Sequence, residues 1–122
     1  MNILINTNRH TVIQVSANTV VNVAGNSSVS DIATNDDEIV LEGYIKQIWY
    51  GSPSGNGAYW TISRGSNTLL VVDSTGWLDF SGNGDMLKMD ADATLDLKLT
   101  GSTAGTLIVD IRKSVLPHPG AY

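Results

Sequence analysis

The stretch YIKQIWYGSPSGNGAYWTISRGSNTLLVVDSTGWLDF, Tyr44 to Phe80, holds all three tryptophans (Trp49, Trp60, Trp77), the only phenylalanine (Phe80) and three of the four tyrosines (Tyr44, Tyr50, Tyr59). Aromatic side chains supply most of the apolar area a small core can use, so the core is expected to start here. The runs AYWTISR, TLLVVD and WLDF are rich in β-branched and aromatic residues, with short Gly, Ser and Asn links between them. That is the pattern of consecutive β-hairpins rather than of helix. Gly65-Ser66-Asn67 suits a tight turn, and Asp73-Ser74-Thr75-Gly76 suits a type I turn closed by a glycine at positive φ.

Upstream of this stretch, Ile39, Leu41, Ile45 and Trp49 fall on one side of a long strand and Glu42, Tyr44 and Lys46 on the other, the two-residue period of a half-buried strand. Gln47 breaks the apolar side, and a bulge near Gly43 or near Gln47 would reset it. Downstream, Leu95, Leu97 and Leu99 alternate with polar residues, Gly101 to Gly105 turns, and Leu107, Val109 and Ile111 alternate again. This reads as a hairpin with one buried face, packed on the Trp60, Ile62, Leu78 and Phe80 side of the central hairpins about 10 Å away. Met86 to Asp90 supplies a short connecting strand. The expected fold is all-β, a single antiparallel β-sandwich, jelly-roll-like, of eight or nine strands with an extended N-terminal segment.

Residues 1–37 have a different texture. They hold seven of the ten asparagines and no aromatic residue, and their apolar groups are small runs such as TVIQVSA and TVVNVAG. With so little bulk to bury, they are expected to be thin strands of an arm laid over another surface, joined by the polar segment Asn26 to Asp37 to a body of residues 38–122. The small apolar anchors of that arm are Val12, Ile13, Val15, Val20, Val21 and Val23. Tyr50, Tyr59 and Trp77 are the outward aromatics of the body, because Trp60, Leu78 and Phe80 are assigned inward. Together these nine residues are the candidate partner-binding set.

At 122 residues, one domain is expected. Without cysteine there is no disulfide framework, thiolate metal site or thiol nucleophile. Twelve acidic against seven basic residues disfavour nucleic acid or an anionic membrane as partner. Apolar runs of about five residues are too short to span a bilayer, and Met1 to His10 does not have the form of a secretory signal.

No motif carries catalysis. GSPSGNG, Gly51 to Gly57, is followed by Ala58-Tyr59-Trp60 and a strand, whereas a phosphate loop needs Lys-Ser or Lys-Thr and a helix. Asp90, Asp92, Thr94 and Asp96 repeat every second residue, but Leu95 and Gly101 occupy the positions where a helix-loop-helix calcium site needs glycine and glutamate. A looser surface calcium site is the alternative to turn capping by Asp90 and Asp92 with Asp96 on a solvated strand face. His10 and His118 lie near opposite ends of the chain with no nucleophile elbow, and Asp73, Asp79 and Asp85 sit in or beside turns. A noncatalytic protein without cofactor or metal is expected.

The runs NSSVSDIA (26–33), IKQIWYGSPSGNGAYWTISRGSNTLLVVDSTGWLDFSGNG (45–84) and TLDLKLTGSTAGTLIVDIRK (94–113) resemble small virion structural proteins of tailed phages, especially cyanophages and other marine phages. The resemblance covers Asn26 to Lys113 and is one of linear pattern. It implies a noncatalytic particle component, a head decoration or cement protein that binds the major capsid protein on the capsid exterior. An acidic body suits that outer surface, and lattice threefolds favour a homotrimer. The alternative is a receptor- or glycan-binding β-sandwich module of a phage tail, using the outward aromatics and the Gly51 to Gly57 loop.

Overall fold

The computed structural model describes residues 1–51, 59–73, 75–80, 96–101 and 105–116. The strands are β1 (Asn2–Asn6), β2 (His10–Val15), β3 (Thr19–Val21), β4 (Ile39–Gly51), β5 (Tyr59–Arg64), β6 (Asn67–Asp73), β7 (Gly76–Asp79), β8 (Leu97–Gly101) and β9 (Thr106–Leu116). They form two antiparallel sheets packed face to face, a β-sandwich. One sheet has the order β1-β2-β9-β4-β7 and the other β3-β8-β5-β6.

Alternation gives each sheet one apolar face, and those faces meet. Ile13 and Val15 of β2, Ile45 and Ile48 of β4, and Leu107, Val109 and Ile111 of β9 come from the first sheet; Val21, Trp60, Ile62, Val72, Leu97 and Leu99 come from the second. Phe80 is buried with them and Leu78 is partly buried against them. Leu95, the Met86 to Asp90 strand, residues 52–57 of the glycine-rich loop, Asp90, Asp92, Thr94, Asp85 and His118 lie outside the described residues.

Three expectations are corrected. First, residues 1–37 are not an arm laid elsewhere. β2 lies inside the first sheet beside β9, β3 pairs with β8, and Ile13, Val15, Val21, Val23 and Ile32 are fully buried in the common core. Small β-branched residues are enough here because the bulk comes from the facing sheet. Second, β8 and β9 belong to different sheets, as do β6 and β7, so neither pair is a hairpin. Alternation reveals which face a strand buries but not whether its successor pairs beside it or crosses to the opposite sheet. Among the described residues of the central stretch, only β5 and β6 form a hairpin, around Gly65 (φ 54) and Ser66, with Arg64 opposite Asn67. Gly76 does not take the positive φ expected of a turn; it is in β7, opposite Tyr50.

Third, Leu41 and Trp49 are not core residues. β4 is bulged twice against β9, between Val40 and Glu42 and between Ile45 and Gln47. Each extra residue, Leu41 and then Lys46, inverts the alternation that follows it. Val40, Ile45 and Ile48 therefore point inward while Gln47 and Trp49 turn out.

Among the described residues, two buried cations tie parts of the sandwich together. Arg64 of β5 reaches the carbonyl of Gly43 in the facing sheet, and Gly43 has no side chain to obstruct it. A Cβ there would lie 2.8 Å from Val23 Cγ1 and 3.1 Å from Ile111 Cγ2. Lys113 of β9 donates to Glu38 Oε1 (2.8 Å), the Ile32 carbonyl (2.7 Å), Thr34 Oγ1 (2.9 Å) and Asn6 Oδ1 (3.0 Å). This amine ties the 22–38 connection and β1 to the sheet. Burial pushes the Glu38 carboxyl up, but hydrogen bonds from Lys113 and Thr34 and the charge of Lys113 outweigh it and hold Glu38 below the usual glutamate range.

Candidate binding face

On the outer face of the five-stranded sheet, strand register sets the side chains in rungs. One rung runs Gln14, Ile108, Trp49, Trp77 from β2 through β9 and β4 to β7, and the next runs Val12, Asp110, Gln47, Asp79. A third places His10 beside Arg112 and Tyr44. Antiparallel neighbours directly opposite have Cβ atoms about 5 Å apart, so Trp49 and Trp77 make one continuous aromatic surface. They are 36% and 56% exposed.

A hydrogen-bonded chain lies across the same face. Trp77 Nε1 donates to Gln47 Oε1 (3.2 Å), Gln47 Nε2 donates to Asp110 Oδ2 (3.1 Å), and Asp110 Oδ1 meets His10 Nδ1 (3.0 Å). Asp110 is only 3% exposed, and a buried carboxylate needs such partners for both oxygens. The network fixes the Gln47 amide, and among the described residues its second N–H and His10 Nε2 have no partner. Beside Trp49, at the end of the sheet, is a shallow depression of about 280 Å³ lined by Trp49, Tyr50, Thr75, Gly76, Thr106 and Ile108. The Tyr50 ring lies over Gly76, where a Cβ would come within 2.8 Å of Tyr50 Cζ.

The candidate partner-binding residues do not come together. Ile13, Val15, Val21 and Val23 are interior, and Val12 is covered at 8% exposure, so none of the five offers a free contact surface. Val20 is exposed on β3. Tyr50 is half-buried against the core, and Tyr59 is exposed on β5 of the opposite sheet. Trp77 does face outward, but its neighbour is Trp49, which the two-residue period assigns to the core. The misfit of Gln47 was the signal that could have found it. A bulge placed just before Gln47 swings both Gln47 and Trp49 outward.

Among the described residues no group of three or more His, Asp or Glu side chains is arranged to hold a metal ion. His10, without a partner on sequence grounds, is paired with Asp110. Comparison with protein-family models, curated proteins and solved structures found no match.

Proposed function

We propose that this chain is a noncatalytic structural component of a tailed-phage virion, a decoration protein that binds the major capsid protein on the head exterior and stabilises the shell. The observation that carries the attachment is β1. It is an edge strand whose Ile3, Leu4 and Ile5 are all nearly half exposed, and its far edge pairs with no described strand. An apolar edge with no charge or proline is a template for strand addition by a neighbour. Of the expected N-terminal contact segment, β1 is the strand with three consecutive apolar side chains not committed to this chain's core.

The strand order supports a body built for that role. With β1 set aside, β2-β9-β4-β7 faces β3-β8-β5-β6, and we read this double Greek-key wrapping as a jelly roll. Closed trimers around lattice threefolds remain the favoured assembly.

Capsids assembled from the major capsid protein and incubated with the full chain test the reading. Ile3→Lys with Ile5→Lys should sharply reduce occupancy while the circular dichroism stays that of the native chain, because lysines on an edge oppose strand addition. Full occupancy by the folded double variant would overturn attachment through β1. Failure of the native chain to bind would overturn decoration itself.

A further inference from the structure

We propose that the outer face of the five-stranded sheet is a carbohydrate-binding site, on which Trp49 and Trp77 stack pyranose rings and the adjacent polar rung holds their hydroxyls. This deepens the receptor- or glycan-binding alternative by giving it a site and a ligand class, and it does not depend on decoration. A pyranose has a flat C–H face and a rim of hydroxyls. The sheet offers the complement: two neighbouring indoles in one rung and, in the next, the Gln47 amide held in place by the buried Asp110.

The polar groups are preorganised, which separates this face from a chance cluster of exposed aromatics. Gln47 is held from both ends of its amide by Trp77 and Asp110, and His10 is anchored through Nδ1 to the same buried carboxylate. Ordering these side chains therefore costs little when ligand arrives. A protein-docking hot spot has its aromatics ringed by contacts that exclude water. Here the aromatic pair adjoins the Gln47 amide, with the His10 imidazole and Arg112 guanidinium further along the face. Among the described residues Arg112, opposite both His10 and Tyr44, makes no ion pair.

Size points the same way. The depression beside Trp49 is about 280 Å³ with an almost wholly apolar lining, below the usual range of roughly 300–1,000 Å³ for a drug-sized ligand. It suits one sugar ring, with the next ring over Trp77. Because the two indoles are contiguous, the ligand is a short run of linked pyranoses.

The test is titration of the full chain with cellohexaose, maltohexaose, mannohexaose and chitohexaose, read by tryptophan emission. Trp60 is buried, so a response reports the two exposed indoles. At least one hexasaccharide should shift the emission, Trp77→Ala should weaken binding about thirtyfold or more, as for a central tryptophan anchor, and Trp77→Phe should recover part of it. Gln47→Ala should weaken binding as well, since the amide that faces the sugar is lost. No response to any of the four sugars up to about 10 mM, where even a weak stacking site fills, would overturn the proposal. So would Trp77→Ala that binds sugar as the native chain does. If Trp77→Ala leaves capsids instead, the face belongs to a protein partner and the sugar reading falls. The Ile3 and Ile5 lysine variant should keep sugar binding whatever it does to decoration.

Discussion

Lys113 shows how a β-sandwich of this size keeps a charge inside. Its ammonium has three protons and four acceptors within 3.0 Å, so it loses no hydrogen bond to burial. Glu38, 6% exposed, neutralises it, and the pairing makes stability depend on pH. Its folded carboxyl titrates below the usual glutamate range. As pH falls, the unfolded chain takes up the proton first, so stability from this pair is complete above the unfolded glutamate pKa and drains away as pH drops through the folded one. Urea unfolding at several pH values should show that acid loss in the native chain and a flatter profile in Glu38→Gln. That variant should also lose about 3 kcal/mol at neutral pH, because it leaves the lysine charge buried without its counter-charge. Gly43 is a second such point. Gly43→Ala forces a methyl against Val23 and Ile111, and equilibrium unfolding should register a loss of about 1–3 kcal/mol, as overpacked cores do.

Among the elements, β4 decides which aromatics are core and which are surface. Its second bulge faces no extra residue on β9, since Ile45 lies opposite Ile111 and Gln47 opposite Asp110. Deleting Lys46 would therefore leave Ile45 and Ile48 inward and Trp49 outward, with register intact. The deletion variant should fold and keep native tryptophan emission, while deletion of Ile48 should unfold the chain by bringing Trp49 to the inward place opposite Val109. Strands β5, β8 and β9 were legible from sequence because Trp60, Ile62, Leu97, Leu99, Leu107, Val109 and Ile111 keep an unbroken two-residue period, and all seven are buried. β4 was legible only up to its bulges, since an inserted residue carries no mark of its own beyond the misplaced Gln47. β2 and β3 were read as peripheral because valine and isoleucine runs look alike in an arm and in a central strand; what distinguishes them is the partner, 90 or more positions away in the case of Ile13 and Val109. Half of the candidate face was visible for the same reason: Trp77 follows the period and Trp49 does not.

For the molecule as a whole, the N-terminal strands are part of the body. Removing residues 1–37 takes Ile13, Val15, Val21, Val23 and Ile32 out of the core, and the remainder should give the circular dichroism of an unfolded chain. Removing only residues 1–5 takes away side chains that are exposed and should leave a folded protein. Light scattering checks the proposed trimer, with three times the chain mass expected for the native protein. One topological fact bears on how this protein comes into being. β9 joins β2 to β4 at the middle of the larger sheet, yet it follows every other described strand in the chain. During synthesis, β1 to β8 emerge with that slot empty, so β2 has only β1 beside it until residues 106–116 arrive. Closing loops of that length first makes folding slow, on the millisecond-to-second scale of sandwich topologies. Until the last strand arrives, the nascent chain is a sticky half-sheet that cells must shield, and truncated transcripts of this gene should yield insoluble product and not a smaller domain.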